Sequence, residues 1–94
     1  MTTRTIAVTG TSRGIGAGTA MELARRGFQV GCLSRGGDYP EGHVDLAPEV
    51  RGRLIPLKCD VTDAGMLAEA FKTLASRTGG IDGLVNNAGI HREA

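Results

Sequence analysis

The sequence predicts an α/β fold built on a parallel sheet. Short apolar runs alternate with helical segments along the chain, beginning with the run at residues 5–8 and the helical pattern at residues 15–26. The apolar runs lack the alternation of a half-exposed strand, so they are typical of strands covered on both faces. Strands that alternate with helices favour parallel pairing and right-handed crossovers.

The first helix follows a glycine-rich stretch. Ile15, Thr19, Leu23 and Ala24 recur at helical spacing. Gly27 follows the pattern and is expected to end the helix.

Three further strands follow the first helix. They are predicted at residues 28–34, 53–61 and 81–89, the last running into a loop. Pro56 argues mildly against the third strand, because proline lacks the N–H group of a sheet ladder.

A second helix is predicted between the third and fourth strands. Thr62 or Asp63 would cap its start, and it would run to about Ser76, before Gly79 and Gly80. Four apolar residues recur at i, i+3, i+4 and i+7 and form one face. They are Leu67, Ala70, Phe71 and Leu74.

Residues 36–52 interrupt this rhythm with four glycines and two prolines. A parallel crossover usually contains a helix at this place. We expect at most one or two helical turns there, around residues 46–50.

Composition excludes several function classes. The 94 residues include 11 basic and 10 acidic side chains, which gives no reason to expect nucleic acid or an anionic membrane as partner. No apolar run approaches the roughly 20 residues that span a bilayer, and the N-terminus lacks signal-peptide features, so a cytoplasmic protein is expected. Cys32 and Cys59 do not have metal-site spacing and are expected to be buried, reduced thiols. No metal site is predicted.

The stretch VTGTSRGIG, residues 8–16, carries the main functional signal. Gly10, Gly14 and Gly16 lie between the first strand and the first helix. Glycine lets a ligand approach the backbone, and the helix N-terminus favours an anion. A pyrophosphate at this corner is the expected ligand, the alternative being a glycine-rich turn that binds nothing.

Three motifs in order resemble the short-chain dehydrogenase/reductase family. They are TGTSRGIG at residues 9–16, CDVTD at residues 59–63 and NNAG at residues 86–89. The resemblance implies a Rossmann-type doubly wound parallel sheet, of which this chain supplies the N-terminal half, with four strands in the order 3-2-1-4. The tail NNAGIHREA looks most like bacterial 3-oxoacyl-carrier-protein reductases.

The resemblance also implies roles for the residues of the glycine loop. Gly10, Gly14 and Gly16 would shape the pyrophosphate loop. Ile15 would contribute backbone beside the nicotinamide half of the cofactor.

Further cofactor contacts are implied at the ends of the third and fourth strands. Asp60 would hydrogen-bond the adenine amino group, and Val61 would pack on the adenine ring. Asn87 would brace the sheet, and Ala88 and Gly89 would run along the ribose.

The end of the second strand favours NADP(H) over NAD(H). An acid that grips the ribose 2′-hydroxyl is usual there, but this chain has Ser34 and Arg35, and the first acid is Asp38. Arg35 and Arg13 would pair with a 2′-phosphate, and Ser12 would add a hydroxyl. The alternative is that both arginines are solvated surface charges.

No catalytic residue is predicted within the chain. The family's reaction uses a tyrosine acid/base with a lysine four residues later, together with a serine and an asparagine. The single tyrosine, Tyr39, has His43 at that spacing, and Lys58 and Lys72 have no matching partner. His91 follows the NNAG motif and is expected to be an exposed residue. The catalytic residues are therefore expected after Ala94.

Residues 1–94 are accordingly expected to be the dinucleotide-binding half of a larger enzyme. The leading hypothesis is an NADP(H)-dependent oxidoreductase that interconverts a small-molecule carbonyl and an alcohol. The alternatives are a non-catalytic dinucleotide-binding or interaction module and a non-functional truncated fragment. The apolar fourth strand would be an exposed edge, which favours a homo-oligomer.

Overall fold

The computed structural model describes residues 3–87, and these form a parallel sheet with helices on both faces. Its strands in chain order are β1 (Thr5–Thr9), β2 (Gln29–Ser34), β3 (Leu54–Lys58) and β4 (Gly83–Val85). Their order across the sheet is β3-β2-β1-β4, and every pairing is parallel. The predicted doubly wound fold and the predicted strand order are both confirmed.

The helical segments of residues 3–87 are a 3-10 turn and three α-helices. The 3-10 turn is His43–Asp45, and the helices are α1 (Gly14–Arg25), α2 (Pro48–Arg51) and α3 (Ala64–Thr78). Helix α1 starts and ends one residue earlier than predicted, and α3 extends two residues past the predicted end. The short α2 confirms that residues 36–52 contain little helix. Among the helices of residues 3–87, none combines the length and apolarity needed to cross a bilayer.

Three strands are shorter than predicted, β2 by a single residue because it begins at Gln29 rather than at residue 28. Strand β3 ends at Lys58 rather than at residue 61, because Asp60 begins a turn in which its carbonyl oxygen accepts the N–H of Asp63 at 2.9 Å. Pro56 is tolerated because β3 is an edge strand that pairs only with β2 within the described residues. Strand β4 contains only Gly83–Val85 of the predicted residues 81–89.

Apolar side chains leave the two faces of the sheet in alternation and form two core layers. Ala7 and Val8 are adjacent in β1 and belong to opposite layers, as the two-residue period of a strand requires. Under α1 and α2 the buried residues are Val8, Ala20, Ala24, Val30, Cys32, Leu46 and Leu54. Under α3 they are Ala7, Leu33, Ile55, Cys59, Ala70 and Leu74.

The face that α3 turns to the sheet is the predicted one. Ala70 and Leu74 are buried, and Leu67 and Phe71 pack against the same layer from half-buried positions. Leu74 lies directly over Gly31 in the middle of β2, where a β-carbon would overlap the Leu74 side chain. The glycine therefore makes room for the fully buried leucine of that face.

Of the four residues whose spacing predicted helix α1, only Ala24 is buried. Ile15 is 78% exposed, and Thr19 and Leu23 are only half-buried. The buried face of α1 consists of small residues, which let the helix approach the sheet closely. They are Gly16, Ala17, Ala20 and Ala24.

Candidate functional site

The carboxyl ends of the four strands are joined at one edge of the sheet. The N–H of Gly10, just after β1, donates to the carbonyl oxygen of Leu33 in β2 at 2.8 Å. The side-chain Nδ2 of Asn87, after β4, donates to the carbonyl oxygen of Gly10 at 3.2 Å. The N–H of Cys59, after β3, donates to the carbonyl oxygen of Ser34 at 2.8 Å. These bonds bring the three motifs of the sequence to one place.

The glycine loop depends on its glycines for two physical reasons. Gly10 and Gly14 have φ of 69° and 66°, a left-handed conformation that side chains with a β-carbon rarely adopt. Gly16 has an ordinary backbone conformation, but a β-carbon there would overlap the carbonyl oxygen of Gly10 and lie 2.7 Å from Asn87 Nδ2. Beside Gly14 the space is open, with no atom within 4 Å of a β-carbon position. The loop is therefore packed against the protein at Gly16 and open at Gly14.

Threonines on both sides of Gly10 fix the loop, and neither was among the predicted site residues. The side chain of Thr11 is fully buried and donates from Oγ1 to the carbonyl oxygen of Leu33 at 3.5 Å. Thr9 is also buried and donates from Oγ1 to Asn86 Oδ1 at 3.0 Å. Both could have been found from the sequence, because two threonines follow the apolar run where β1 ends.

The N-terminus of α1 is left open, whereas that of α3 is capped. Asp63 Oδ1 accepts the N–H groups of Gly65 and Met66 at 3.0 and 3.1 Å, so α3 satisfies its own first-turn donors. At α1 the N-cap residue is Arg13, no side chain caps the helix, and the first turn contains no acid. An anion beside the glycine loop would accept the first N–H groups of α1 and interact favourably with the helix dipole.

The two arginines of the expected phosphate site flank the ends of β1 and β2. Arg13 and Arg35 are both exposed, as is Ser12, whose carbonyl oxygen accepts the N–H of Glu41 at 2.9 Å. Ser34 is buried, and its Oγ accepts the N–H of Gly37 at 3.1 Å. The Ser34 hydroxyl therefore belongs to a turn, and it keeps its O–H donor and one acceptor lone pair for a ligand.

Asp60 and Val61 lie beyond the end of β3, and one carboxylate oxygen of Asp60 accepts hydrogen bonds from Thr62. Asp60 Oδ1 accepts the N–H of Thr62 at 3.0 Å and its hydroxyl at 2.7 Å. The two bonds from Thr62 hold the pKa of Asp60 below its ordinary value, with a smaller contribution from the charge of Arg35. Val61 is half-buried and packs on the layer under α3. An ionised carboxylate here suits an amino-group donor such as that of adenine.

The arrangement fits a dinucleotide. An open main-chain loop lies at an uncapped helix start, with two exposed guanidinium groups at the adjacent strand ends and an ionised acid at the end of β3. Of the predicted contacts, Ala88 and Gly89 lie outside the described residues, as does His91.

Tyr39 contacts His43, which stands four residues later, where the family's reaction would require a lysine. Its ring stacks on His43 with centroids 4.8 Å apart, and His43 Nδ1 lies 3.0 Å from the carbonyl oxygen of Pro40. Both side chains belong to the segment after β2, as expected.

The two cysteines are buried free thiols, as predicted. Burial raises the pKa of Cys32 to about 12, and burial together with nearby acids raises that of Cys59. In residues 3–87, no three histidine, cysteine or acidic side chains converge as metal ligands would.

Comparison with known proteins places the geometry in one family. A family model described as short chain dehydrogenase matches residues 4–94. Farnesol dehydrogenase of Aedes aegypti is 40% identical over 87 residues, covering 92% of this chain and 36% of that protein.

Two solved structures illustrate the likeness of fold. NADH-dependent reductase A1-R', crystallised with NAD, has a TM-score of 0.70 and 30% identity over 88% of this chain and 35% of its own. A variant of actinorhodin polyketide ketoreductase with NADPH has a TM-score of 0.73 and 29% identity over 93% of this chain and 34% of its own. The chain spans about a third of the length of the relatives that it matches.

Proposed function

Because this chain belongs to the short-chain dehydrogenase family, we propose that it supplies the dinucleotide-binding part of an oxidoreductase. The observation that carries the proposal is the glycine loop at the uncapped start of α1, held between β2 and β4 by the bonds of Gly10 to Leu33 and Asn87. The pyrophosphate would lie on this loop. When bound, the cofactor would supply the hydride for reduction of a carbonyl or accept it from an alcohol.

Several residues would contact the cofactor through side chain or backbone. Within the described residues they are Gly10, Ser12, Arg13, Gly14, Ile15, Gly16, Ser34, Arg35, Asp60, Val61 and Asn87. Ala88 and Gly89 complete the proposed set.

We propose NADP(H) as the preferred dinucleotide. Arg35 is exposed directly after β2, and Arg13 is exposed at the start of α1. Guanidinium groups bind phosphate oxygens bidentately, and the helix start adds a favourable dipole. The solved structures that resemble this chain include an NADH-dependent reductase and a ketoreductase with NADPH, so the preference has to come from this chain's own residues.

The preference is tested by reversing one charge. Arg35→Asp should weaken NADPH binding by at least about tenfold, because a carboxylate repels the 2′-phosphate and accepts the ribose hydroxyl of NADH. Dissociation constants for both dinucleotides are measured by fluorescence titration. Arg4→Asp is the matched control, because Arg4 is also exposed but precedes β1, at the end of the strand away from the glycine loop. Equal NADPH affinity in the Arg35 variant would contradict the phosphate assignment.

The proposed reaction is the interconversion of a small-molecule carbonyl and an alcohol, with the tyrosine and lysine of the reaction lying outside residues 3–87. Within them the one tyrosine is stacked on His43 and has no lysine four residues later. The same observation favours a second candidate, a dinucleotide-binding module without turnover. For either candidate we propose a homo-oligomer, because β4 pairs only with β1 among the described residues and leaves Leu84 54% exposed. A cytoplasmic location is also proposed for both.

Three measurements separate these candidates. Turnover of NADPH with a carbonyl substrate supports the oxidoreductase, and saturable binding without turnover supports the module. Absence of binding and of cooperative unfolding supports a non-functional fragment. The intact mass of the polypeptide made by its own cell decides how far the chain extends: a mass more than twice 9.8 kDa would mean that a catalytic part accompanies residues 1–94.

A further inference from the structure

A carboxylate four residues past the end of β2 folds back over the turn that follows the strand. A β-carbon placed on Gly36 would lie 2.6 Å from Asp38 Oδ2, so the Asp38 side chain folds over Gly36. The cause is a tight turn in which Gly37 N–H donates to the carbonyl oxygen of Ser34 at 3.2 Å and to its Oγ at 3.1 Å. The turn brings Asp38 back toward the strand end, although it is four residues past Ser34.

The Asp38 carboxylate is available to a ligand. Among residues 3–87, no hydrogen bond or ion pair includes its side chain, and the residue is exposed. The carboxylates of Asp60, Asp63 and Asp82, by contrast, each accept a bond from a backbone N–H group. Asp38 therefore keeps its full acceptor capacity at the rim of the proposed cofactor site.

A positively charged group, that of Arg35, and a negatively charged one, that of Asp38, thus both follow the end of β2. In dinucleotide-binding folds, a carboxylate beside the end of the second strand accepts the 2′-hydroxyl of the NAD ribose, and an arginine nearby accommodates the 2′-phosphate of NADP. Here Arg35 follows β2 directly, and the carboxylate of Asp38 lies against the next residue, Gly36.

We infer that Asp38 is a specificity-determining residue that opposes Arg35. Its carboxylate accepts a hydrogen bond from the ribose 2′-hydroxyl of NAD(H) and repels the 2′-phosphate of NADP(H). The protein therefore binds both dinucleotides, with a weaker preference for NADP(H) than Arg13 and Arg35 alone would produce. This inference rests on the proposed dinucleotide function and refines it.

The expected effects are modest because the site is exposed to water. An interaction between exposed charges changes a binding constant by up to about fivefold. A hydrogen bond whose acceptor loses its charge is weakened by a similar factor, about threefold, because the amide oxygen of asparagine still accepts the hydroxyl.

The test is Asp38→Asn, which removes the charge and keeps the shape of the side chain. With the full protein, dissociation constants for NADH and NADPH are measured by fluorescence titration. NADPH should bind about threefold more tightly and NADH about threefold more weakly than to the unaltered protein. The gain for NADPH should shrink in about 0.5 M salt, because screening weakens the repulsion that was removed.

The matched control is Asp45→Asn. Asp45 is exposed in the same connection between β2 and β3, and its side chain makes no hydrogen bond or ion pair among residues 3–87. Its replacement should leave the ratio of the two dissociation constants unchanged.

Two other outcomes overturn the inference in distinguishable ways. If Asp38→Asn leaves the NADH-to-NADPH ratio unchanged, or changes it as much as Asp45→Asn does, then Asp38 does not determine specificity while the proposed function stands. If the unaltered protein binds neither dinucleotide, the inference and the proposed function fail together.

Discussion

The side-chain amide of Asn87 donates a hydrogen bond to the carbonyl oxygen of Gly10 at 3.2 Å, across 77 positions of the chain. Gly10 in turn donates its N–H to the carbonyl oxygen of Leu33 at 2.8 Å. The end of β4 thereby fixes the loop that follows β1, and the loop is fixed to β2. Asn87 is a positioning residue in this arrangement, because it holds the backbone on which we place the cofactor.

Replacing Asn87 with Asp should weaken dinucleotide binding without a change in side-chain size. The carboxylate cannot donate to the Gly10 carbonyl oxygen and repels it instead. A loss of about 1–3 kcal/mol in the free energy of unfolding is expected for the unsatisfied carbonyl group. Urea unfolding and NADPH titration measure the two effects.

Asn87→Gln is the companion variant, since it keeps the amide on a longer side chain. Partial recovery of binding relative to Asn87→Asp is expected. Full affinity in both variants would show that the bond to Gly10 does not position the loop.

Replacing Gly16 with Ala should disrupt the cofactor loop. The new β-carbon would overlap the Gly10 carbonyl oxygen and crowd Asn87 Nδ2 at 2.7 Å, so the loop has to move. Dinucleotide affinity should fall by at least about tenfold, equivalent to about 1.4 kcal/mol, a cost typical of overpacking. Isothermal titration with NADPH measures the change.

The control for Gly16 is Gly18→Ala, two positions further along α1. A β-carbon on Gly18 would have no atom within 4 Å. The free energy of unfolding of this variant should be about 0.5–1 kcal/mol higher than that of the unaltered protein, because alanine is more favourable than glycine in the interior of a helix. If both variants bind NADPH equally well, close packing at Gly16 is irrelevant to the site.

Gly31 and Leu74 should behave as a coupled pair. A β-carbon on Gly31 would overlap Leu74, so Gly31→Ala should lower the free energy of unfolding by about 1–3 kcal/mol. Leu74→Ala removes a fully buried side chain and should cost about 2–5 kcal/mol. In the double variant the added methyl group occupies part of the space left by leucine.

Urea unfolding of the four proteins in this cycle measures the coupling. The double variant should be more stable than the sum of the single effects predicts, by about 0.5–3 kcal/mol. Strict additivity would mean that α3 does not rest on Gly31.

The stability of the protein should fall in alkali partly through Cys32. Burial raises the thiol pKa from 9.0 to about 12, so the unfolded chain loses this proton at lower pH than the folded chain does. The contribution of the thiol is therefore fully present below pH 9.0 and is lost as the pH rises to about 12.

Denaturant unfolding between pH 8 and 11 measures this loss. Cys32→Ala should be less stable at pH 8 because it removes buried volume, but its stability should decline less steeply with pH. A parallel decline in both proteins would mean that Cys32 titrates normally. Below pH 9 the native thiol should also resist alkylation until the protein unfolds, because the reactive thiolate is scarce.

Arg53 should stabilise the end of α1. Its Nη1 donates to the carbonyl oxygen of Ala24 at 2.7 Å, which places a positive charge beside the last turn of the helix, on a carbonyl group that also accepts the N–H of Gly27 at 3.1 Å. Arg53→Met keeps most of the side-chain length and should cost about 1 kcal/mol of stability. Arg51→Met is the control, because no side-chain bond of Arg51 exists among the described residues. Equal stabilities of the two variants would contradict this role.

Much of the fold follows from local sequence alone. The alternation of apolar runs with helical segments predicted the four strands, and the resemblance to a known family predicted their order. Asp63 was one of two predicted caps, and its carboxylate accepts two N–H groups at the start of α3. These features depend on residues close together in the chain, so a local pattern identifies them.

What the sequence by itself determined about this protein is the α/β class, the glycine loop and the membership of three motifs in one site. Only the tertiary structure decided which face of α1 is buried, leaving Ile15 exposed, and which glycine is required by packing rather than by φ. It also decided that Asp38 returns to the end of β2. The physical reason is that these properties depend on close contacts between segments distant in sequence, and on the turn of residues 34–37, whereas periodicity reports only the spacing of side chains along one element.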